Sequence, residues 1–204
     1  MSTVLVGIED FLKFADCFLW RTNLENLGKK FENQWKKSVT EGMYYLRLKD
    51  NPSSFGQDSS FVRFTLNNPY DCFIFYNRFL FPMELKSTQS TSISIQREKS
   101  EKGKMIKLHQ IQGLTKANGY DGIFAGFVFD FRETENTYWM DIEDFNVFLS
   151  ETDKKSINEK DIIKYKGIMV SKIKKKVNFS YNLQELLQKI SERNETSGTT
   201  GVIQ

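Results

Sequence analysis

The 204-residue chain has little of several features that mark particular protein classes. It contains two cysteines, Cys17 and Cys72, both among apolar neighbours, which argues against a disulfide framework and predicts a reducing, cytoplasmic setting. Charged residues interrupt the apolar N-terminal segment, and no basic leader precedes it. We therefore expect neither a signal peptide nor a membrane partner.

The chain also lacks a strong charge of either sign. Its 29 basic and 26 acidic residues give a formal net charge of +3, which is too small to demand a polyanionic partner by itself. A hydrophobic content of 39% with 18 phenylalanines is typical of a packed globule. The sequence predicts a single domain over 1–191, followed by a flexible, polar C-terminal tail over 192–204.

Apolar periodicity alternates between helical and strand spacing. Helices are predicted over 2–20 and 23–39, and a third helix ends at Gly119. Strands are predicted after Gly42, from Phe61 onward as "FVRFTL", "DCFIFY" and "FLFPMELKS", and later as "IFAGFVFDF" and "TYWMDI", before a helix in "IEDFNVFLSE". This pattern predicts an α/β fold in which helices flank a mixed central sheet of about four or five strands.

The stretch "FPMELKST" sets two charges into an otherwise apolar strand. Alternation along a strand puts Glu84 and Lys86 on one face, and a hairpin can bring them near Asp71 in "NNPYDCF". Two converging carboxylates suit a hard cation such as Mg²⁺, and a neighbouring lysine suits a phosphodiester substrate. The alternative interpretation is an ion pair on a solvated face.

The order Asp71, turn, Glu84-x-Lys86 resembles the core motif of the PD-(D/E)xK nucleases. The downstream stretches "HQIQGLTKANGYDGIFAGFVF", "TYWMDIEDFNVFL" and "KKSI" follow in the order seen in the RecU Holliday junction resolvases. The resemblance runs from about residue 26 to about residue 190 and is strongest over 69–148. It implies a restriction-endonuclease-like fold with a protruding stalk at about 50–68.

The resemblance also implies roles for individual residues. Asp71 and Glu84 would be ligands of Mg²⁺ or alternatively Mn²⁺, and Lys86 would stabilise the transition state. Glu32 in "GKKFE" would be a third catalytic acid, and Gln110 would lie beside the metal as a further ligand. From the residues alone, Glu32 is equally an ordinary helix glutamate paired with Lys36, and Gln110 is an amide at the edge of the core.

Two positions do not add to the predicted site. The family tends to have a hydroxyl residue two positions before the aspartate, where this chain has Pro69. His109 is the only histidine, but Mg²⁺-dependent hydrolysis needs no histidine base, so we expect it to be structural.

Candidate DNA contacts fall in two segments. Nine lysines stand against two carboxylates between residues 154 and 176, and the predicted contacts there are Lys172, Lys174, Lys175 and Lys176. The alternative is a solvated face. In the stalk, the resemblance favours Arg63 and Phe64 as contacts to unpaired bases, although both also suit an ordinary strand.

Taken together, the sequence predicts a Mg²⁺-dependent endonuclease that resolves four-way junction DNA. The two-fold symmetry of a junction predicts a homodimer, for which Phe11, Phe14 and Phe18 in the first helix offer an apolar face. The alternatives are another PD-(D/E)xK nuclease acting on duplex or flap DNA, a non-catalytic structured-DNA-binding protein, and an unrelated α/β protein.

Overall fold

The computed structural model describes residues 27–48 and 68–198. The helix predicted over 2–20, the strand from Phe61, and the stalk residues Arg63 and Phe64 lie outside this part of the chain. The helices are α1 (27–37), α2 (Leu108–Asn118), α3 (Ile142–Glu151), α4 (Glu159–Lys164) and α5 (Leu183–Gly198). The strands are β1 (Tyr44–Arg47), β2 (Cys72–Tyr76), β3 (Phe79–Thr88), β4 (Ser92–Ser94), β5 (Gly126–Phe131), β6 (Asn136–Asp141), β7 (Ser156–Asn158), β8 (Ile168–Met169), β9 (Lys172–Lys174) and β10 (Phe179–Tyr181).

The main sheet has six strands in the order β1-β2-β3-β5-β6-β8. Strand β3 runs antiparallel to β2 and parallel to β5, so the sheet is mixed. Helices cover both of its faces, which buries the apolar side chains of the central strands. The α/β class with a mixed central sheet flanked by helices is therefore confirmed, with more strands than the four or five expected.

The two faces of the sheet pack against different helices. Along β3, Met83 and Leu85 belong to the core formed with α1 and α5. Along β5, Phe127 and Phe129 belong to the core formed with α2 and α3. Because side chains alternate along a strand, Glu84 and Lys86 point from β3 toward the α2 side.

The hairpin between β2 and β3 is set by its turn residues. Asn77 and Arg78 both have positive φ angles, of 52° and 71°, as a two-residue hairpin turn with strand-compatible twist requires. Pro82 lies inside β3 rather than at an edge. It is accommodated because the parallel bridge at Leu80 precedes it and the ladder with β5 begins only at Met83.

The C-terminal helix extends into the segment that the sequence predicts to be a flexible tail. Helix α5 continues to Gly198, so residues 192–198 are helical. The packing residues Leu186, Leu187 and Ile190 hold its first half in the core. Within the described residues, none of the helices is both long enough and apolar enough to cross a membrane.

Candidate active site

Asp71 lies immediately before β2 and is held by three hydrogen bonds. Its side-chain Oδ2 accepts from the Leu85 backbone N–H at 2.8 Å. Its own N–H donates to the Met83 carbonyl at 3.2 Å, and its carbonyl accepts from the Leu48 N–H at 2.8 Å. These bonds fix the carboxylate beside the middle of β3, where the hairpin was predicted to bring it.

Glu84 and Lys86 form an ion pair along β3. The Lys86 Nζ lies 2.7 Å from Glu84 Oε1, and the side chains are 14% and 1% exposed, respectively. An ion pair on a solvated face would leave both side chains in water. The burial of this pair therefore excludes the alternative that the sequence left open for it.

Gln110 contacts the same carboxylate from helix α2. Its amide nitrogen donates to Glu84 Oε1, while its amide oxygen accepts from the Lys107 N–H at 2.9 Å. The bond to Lys107 is part of the capping interaction at the start of α2. The capping interaction at the first turn of α2 thus orients the Gln110 amide toward Glu84.

A close contact between α2 and the chain before β2 sets the position of the helix. Gly113 packs directly on Pro69, where a Cβ atom would lie 2.5 Å from Pro69 Cβ and 2.8 Å from its carbonyl oxygen. A glycine is required here because larger residues would push the helix away from the strand pair. This contact brings Gln110 and Asp71 to the same place from different elements.

The electrostatics of Glu84 differ from those of an ordinary surface carboxylate. Its pKa is raised to about 7, chiefly by burial and also by the nearby charge of Asp71, against the opposing effect of the Lys86 ammonium. Lys86 and Gln110 both donate to the same oxygen of Glu84, Oε1. A desolvated carboxylate beside a second carboxylate is the arrangement that a bound cation would stabilise.

The donor set fits a Mg²⁺ ion that retains several water ligands. Asp71 and Glu84 would supply the protein oxygens, and substrate phosphate oxygens and water would complete the coordination, as this ion normally requires. In the described ranges, 27–48 and 68–198, no group of three His, Cys, Asp or Glu side chains could hold a metal. Direct ligation by Gln110 stays a prediction, since its oxygen accepts from Lys107.

Glu32 lies on α1, whose Phe31 and Trp35 share a core with Met83 and Leu85. It forms an ion pair with Arg47 of β1 at 2.6 Å, which replaces the pairing with Lys36 that the sequence allowed. Its charge contributes to raising the pKa of the Cys72 thiol, as do the charges of Asp71 and Glu84, although burial is the main cause. Its role as a third catalytic acid stays a prediction.

His109 precedes Gln110 on α2. Burial lowers its pKa, and the positive charges of Lys107 and Lys86 lower it further. Its ring is therefore neutral at pH 7 and within electrostatic reach of the candidate site.

The predicted DNA-binding lysines are placed unevenly around β9. Lys172 lies 3.5 Å from Asp130 and 4.2 Å from the centre of the Phe179 ring, with its side chain 10% exposed. Lys174 pairs with Glu135 and is exposed. Lys175 and Lys176 follow in an exposed turn, so these two are better placed than Lys172 to meet a phosphate.

Sequence reasoning missed two features, one near these lysines and one near the candidate active site. The α1 lysines Lys29, Lys30 and Lys37 lie opposite the turn that carries Lys175, and their helical spacing was the available signal. The contact between Gly113 and Pro69 had no local signal, because it joins two segments that are distant in the sequence.

Comparison with known proteins gives a fold likeness and a relative. A solved structure of Hjc, a Holliday junction resolvase from the archaeal hyperthermophile Archaeoglobus fulgidus, overlays with a TM-score of 0.40 at 16% identity, covering 72% of this chain and 94% of that chain. Overlap at this level supports no conclusion about activity. No protein-family model matches the chain, so the likeness to RecU rests on the residues quoted above.

A curated sequence from Bacillus subtilis (strain 168) matches over most of its length. The "SPbeta prophage-derived uncharacterized protein YotM" is 37% identical over 185 residues, which span 84% of this chain and 90% of that protein. The protein described here belongs to the family of YotM.

Proposed function

We propose that this protein is a metal-dependent endodeoxyribonuclease that resolves four-way DNA junctions by symmetric hydrolysis of phosphodiester bonds. The single observation that carries the proposal is the convergence of Asp71, Glu84 and Lys86 at the open end of the β2–β3 hairpin, away from its turn. The 1% exposure of Glu84 and its raised pKa set this group apart from a structural surface pair. The spacing of the three residues supplies the link to PD-(D/E)xK nucleases.

The chain's own residues would divide the work on a scissile phosphate. Asp71 and Glu84 would hold Mg²⁺ or Mn²⁺, and the bound ion would supply an activated water and neutralise charge on the phosphate oxygens. Lys86 would stabilise the negative charge that develops on those oxygens. Gln110 would act by keeping the Glu84 carboxylate in one orientation, because its amide nitrogen donates to that group.

The substrate class and assembly follow from the resemblance to RecU and from symmetry. A four-way junction must be nicked on two like strands, and two active sites in a homodimer match that requirement. The predicted cytoplasmic setting agrees with a DNA substrate. The residues expected to form the dimer face and the stalk lie outside the described part of the chain, so both stay predictions.

The test is cleavage of a labelled synthetic four-way junction beside linear duplex of the same sequence. We expect paired symmetric nicks in the junction only, with Mg²⁺ present, and no nicks in EDTA or with the Glu84→Gln variant. Cleavage of duplex at an equal rate would replace junction resolution with a general PD-(D/E)xK nuclease activity. If neither substrate is cleaved with or without Mg²⁺ and the junction is bound tightly, the protein is a non-catalytic DNA-binding protein.

A further inference from the structure

We propose that a lysine-lined cleft between α1 and the β9–β10 hairpin binds the sugar-phosphate backbone of DNA at a place separate from the candidate active site. The inference rests on the proposed function, because it takes DNA as the substrate. It assigns a binding role to Lys29, Lys30 and Lys37 and gives Lys175 a defined place in the same surface.

The cleft has a volume of about 620 Å³ and one sign of charge. Three lysines, Lys29, Lys30 and Lys37, line it from α1, and Lys175 lines it from the hairpin. Among the residues that the structure describes, the other lining residues are uncharged and none is a carboxylate. A cavity with four cations and no anion attracts a polyanion rather than a neutral ligand.

The cleft forms because α1 has two distinct sides. Phe31 and Trp35 are buried in the core, while Lys29, Lys30 and Lys37 recur on the flank that faces the hairpin. The sequence pattern that makes the helix pack therefore also places its lysines along one edge.

The hairpin is fixed relative to the helix. The Gln34 side-chain amide nitrogen donates to Asn178 Oδ1 at 3.0 Å, and the Tyr181 backbone N–H donates to Ser38 Oγ at 2.9 Å. Within the turn, the Lys175 N–H donates to the Asn178 carbonyl at 2.7 Å. The two walls are thus held in place before any ligand arrives, which reduces the entropy lost on binding.

The lysines that line the cleft differ from the nearby lysines of β9 in whether they form ion pairs. Lys172 and Lys174 pair with Asp130 and Glu135, respectively. In the described part of the chain, none of the ion pairs involves a lysine that lines the cleft. Unpaired surface cations hold mobile counterions until a phosphate backbone replaces them, and the displaced ions favour binding.

The cleft and the candidate active site lie on opposite sides of the sheet. Helix α1 and Tyr181 of the hairpin pack against Met83 and Leu85, whereas Glu84 and Lys86 point toward α2. A backbone in the cleft is therefore not the scissile phosphate. The cleft should govern DNA affinity and its dependence on salt, and leave the rate of the chemical step unchanged.

The experiment compares two double variants of equal charge in the full-length protein. The cleft pair is Lys37→Gln with Lys175→Gln, and the control pair is Lys36→Gln with Lys160→Gln, which are exposed lysines that do not line the cleft. Fluorescence anisotropy of a labelled four-way junction in EDTA gives Kd between 50 and 200 mM salt without cleavage. We expect the cleft pair to reduce the slope of log Kd against log salt by roughly 2, since each phosphate contact contributes about 0.9.

Three further measurements make the outcomes separable. Lys37→Arg with Lys175→Arg should retain the wild-type slope, and circular dichroism should show that all variants are folded. The proposal is overturned if the cleft pair has the wild-type slope, or if both pairs reduce the slope equally. The cleft would then face an acidic protein or solvent rather than DNA. If wild type shows the cleft-dependent slope but cleaves no DNA in Mg²⁺, the nuclease proposal fails and the cleft stands. If wild type cleaves the junction but the cleft pair does not change the slope, the nuclease proposal stands and the cleft proposal fails.

Discussion

Two carboxylates on neighbouring strands are equally buried and yet are placed in different surroundings. Glu84 of β3 and Asp130 of β5 are each 1% exposed. Glu84 points toward α2, and Asp130 points to the other face of the sheet, toward β9. Burial alone therefore does not separate a structural carboxylate from a candidate functional one.

The difference lies in how completely each group is satisfied. Asp130 accepts hydrogen bonds from Ser87 Oγ at 2.9 Å and Thr137 Oγ1 at 2.8 Å, and it pairs with Arg132 Nε at 2.7 Å and with Lys172 Nζ at 3.5 Å. Donors thus reach both of its oxygens, as stable buried charges require.

Glu84, in contrast, has a second carboxylate nearby, and the donors that reach it from the described residues both meet the same oxygen. Lys86 and Gln110 both donate to Oε1, and the charge of Asp71 disfavours ionisation of Glu84. A group in this condition gains from an added cation, whereas Asp130 does not. What distinguishes the candidate site is therefore a carboxylate with incomplete hydrogen bonding, and not the degree of its burial.

The largest expected effect is the loss of stability when the satisfied network loses its centre. Asp130→Asn would leave the charges of Arg132 and Lys172 facing each other without a carboxylate, at a cost of about 3–5 kcal/mol in the free energy of unfolding. Urea denaturation followed by circular dichroism measures this change. Asp153→Asn, which changes an exposed carboxylate, is the control and should stay within about 0.5 kcal/mol of wild type. An equally small effect of Asp130→Asn would contradict the structural role of the network around Asp130.

The sequence predicted the shared face of Glu84 and Lys86, but it did not predict the network around Asp130. The face shared by Glu84 and Lys86 and the bounds of α3 follow from local periodicity, and both are confirmed. Asp130 sits in "GFVFDF", where nothing local signals a buried charge, and its partner Lys172 is distant in the sequence. The same lysine therefore resembled a DNA contact when only composition was visible.

The contact of Gln110 with Glu84 shows a second limit. The resemblance to RecU selected Gln110, but the residue itself gave no reason to prefer it over other helix amides. Its position depends on the approach of α2 to Pro69, and that approach depends on a glycine whose role appears only in three dimensions. Helix-period patterns predict where α2 lies in the sequence, and they contain no information on how closely it packs.

The second prediction addresses this packing. Gly113→Ala would place a methyl group against Pro69 and should cost about 1–3 kcal/mol in the free energy of unfolding, with weakened junction cleavage because α2 carries Gln110. Thermal unfolding and single-turnover cleavage measure the two effects. Gly28→Ala in α1 is the matched control, since a Cβ there meets nothing within 4 Å and alanine favours the helix. Equal behaviour of the two variants would contradict the proposed role of the close contact.

The third prediction concerns competition between a proton and Mg²⁺ at Glu84. Because the pKa of Glu84 is raised to about 7, the group is mostly protonated at pH 6 and mostly ionised at pH 8. A bound cation requires the ionised form of Glu84, so the apparent affinity for Mg²⁺ should be about tenfold lower at pH 6 than at pH 8. The stabilisation of the fold by saturating Mg²⁺ should therefore be about 1.4 kcal/mol smaller at pH 6 than at pH 8. Differential scanning fluorimetry with and without Mg²⁺ measures the difference. Equal stabilisation at both pH values would indicate that Glu84 is not a ligand.

The last prediction completes the comparison, because it is the counterpart of Asp130→Asn and no loss of stability is expected. Glu84→Gln should not lower the free energy of unfolding at pH 8, since relief from burial of a charge and from repulsion by Asp71 outweighs the lost attraction to Lys86. The folded wild type retains the Glu84 proton that the unfolded chain releases, so this group makes stability fall as pH rises from 4.5 to about 7. Glu84→Gln should remove that slope, as urea denaturation across the pH range would measure. A loss comparable with that of Asp130→Asn would mean that Glu84 is a structural charge like Asp130, and the distinction between the two buried carboxylates would fail.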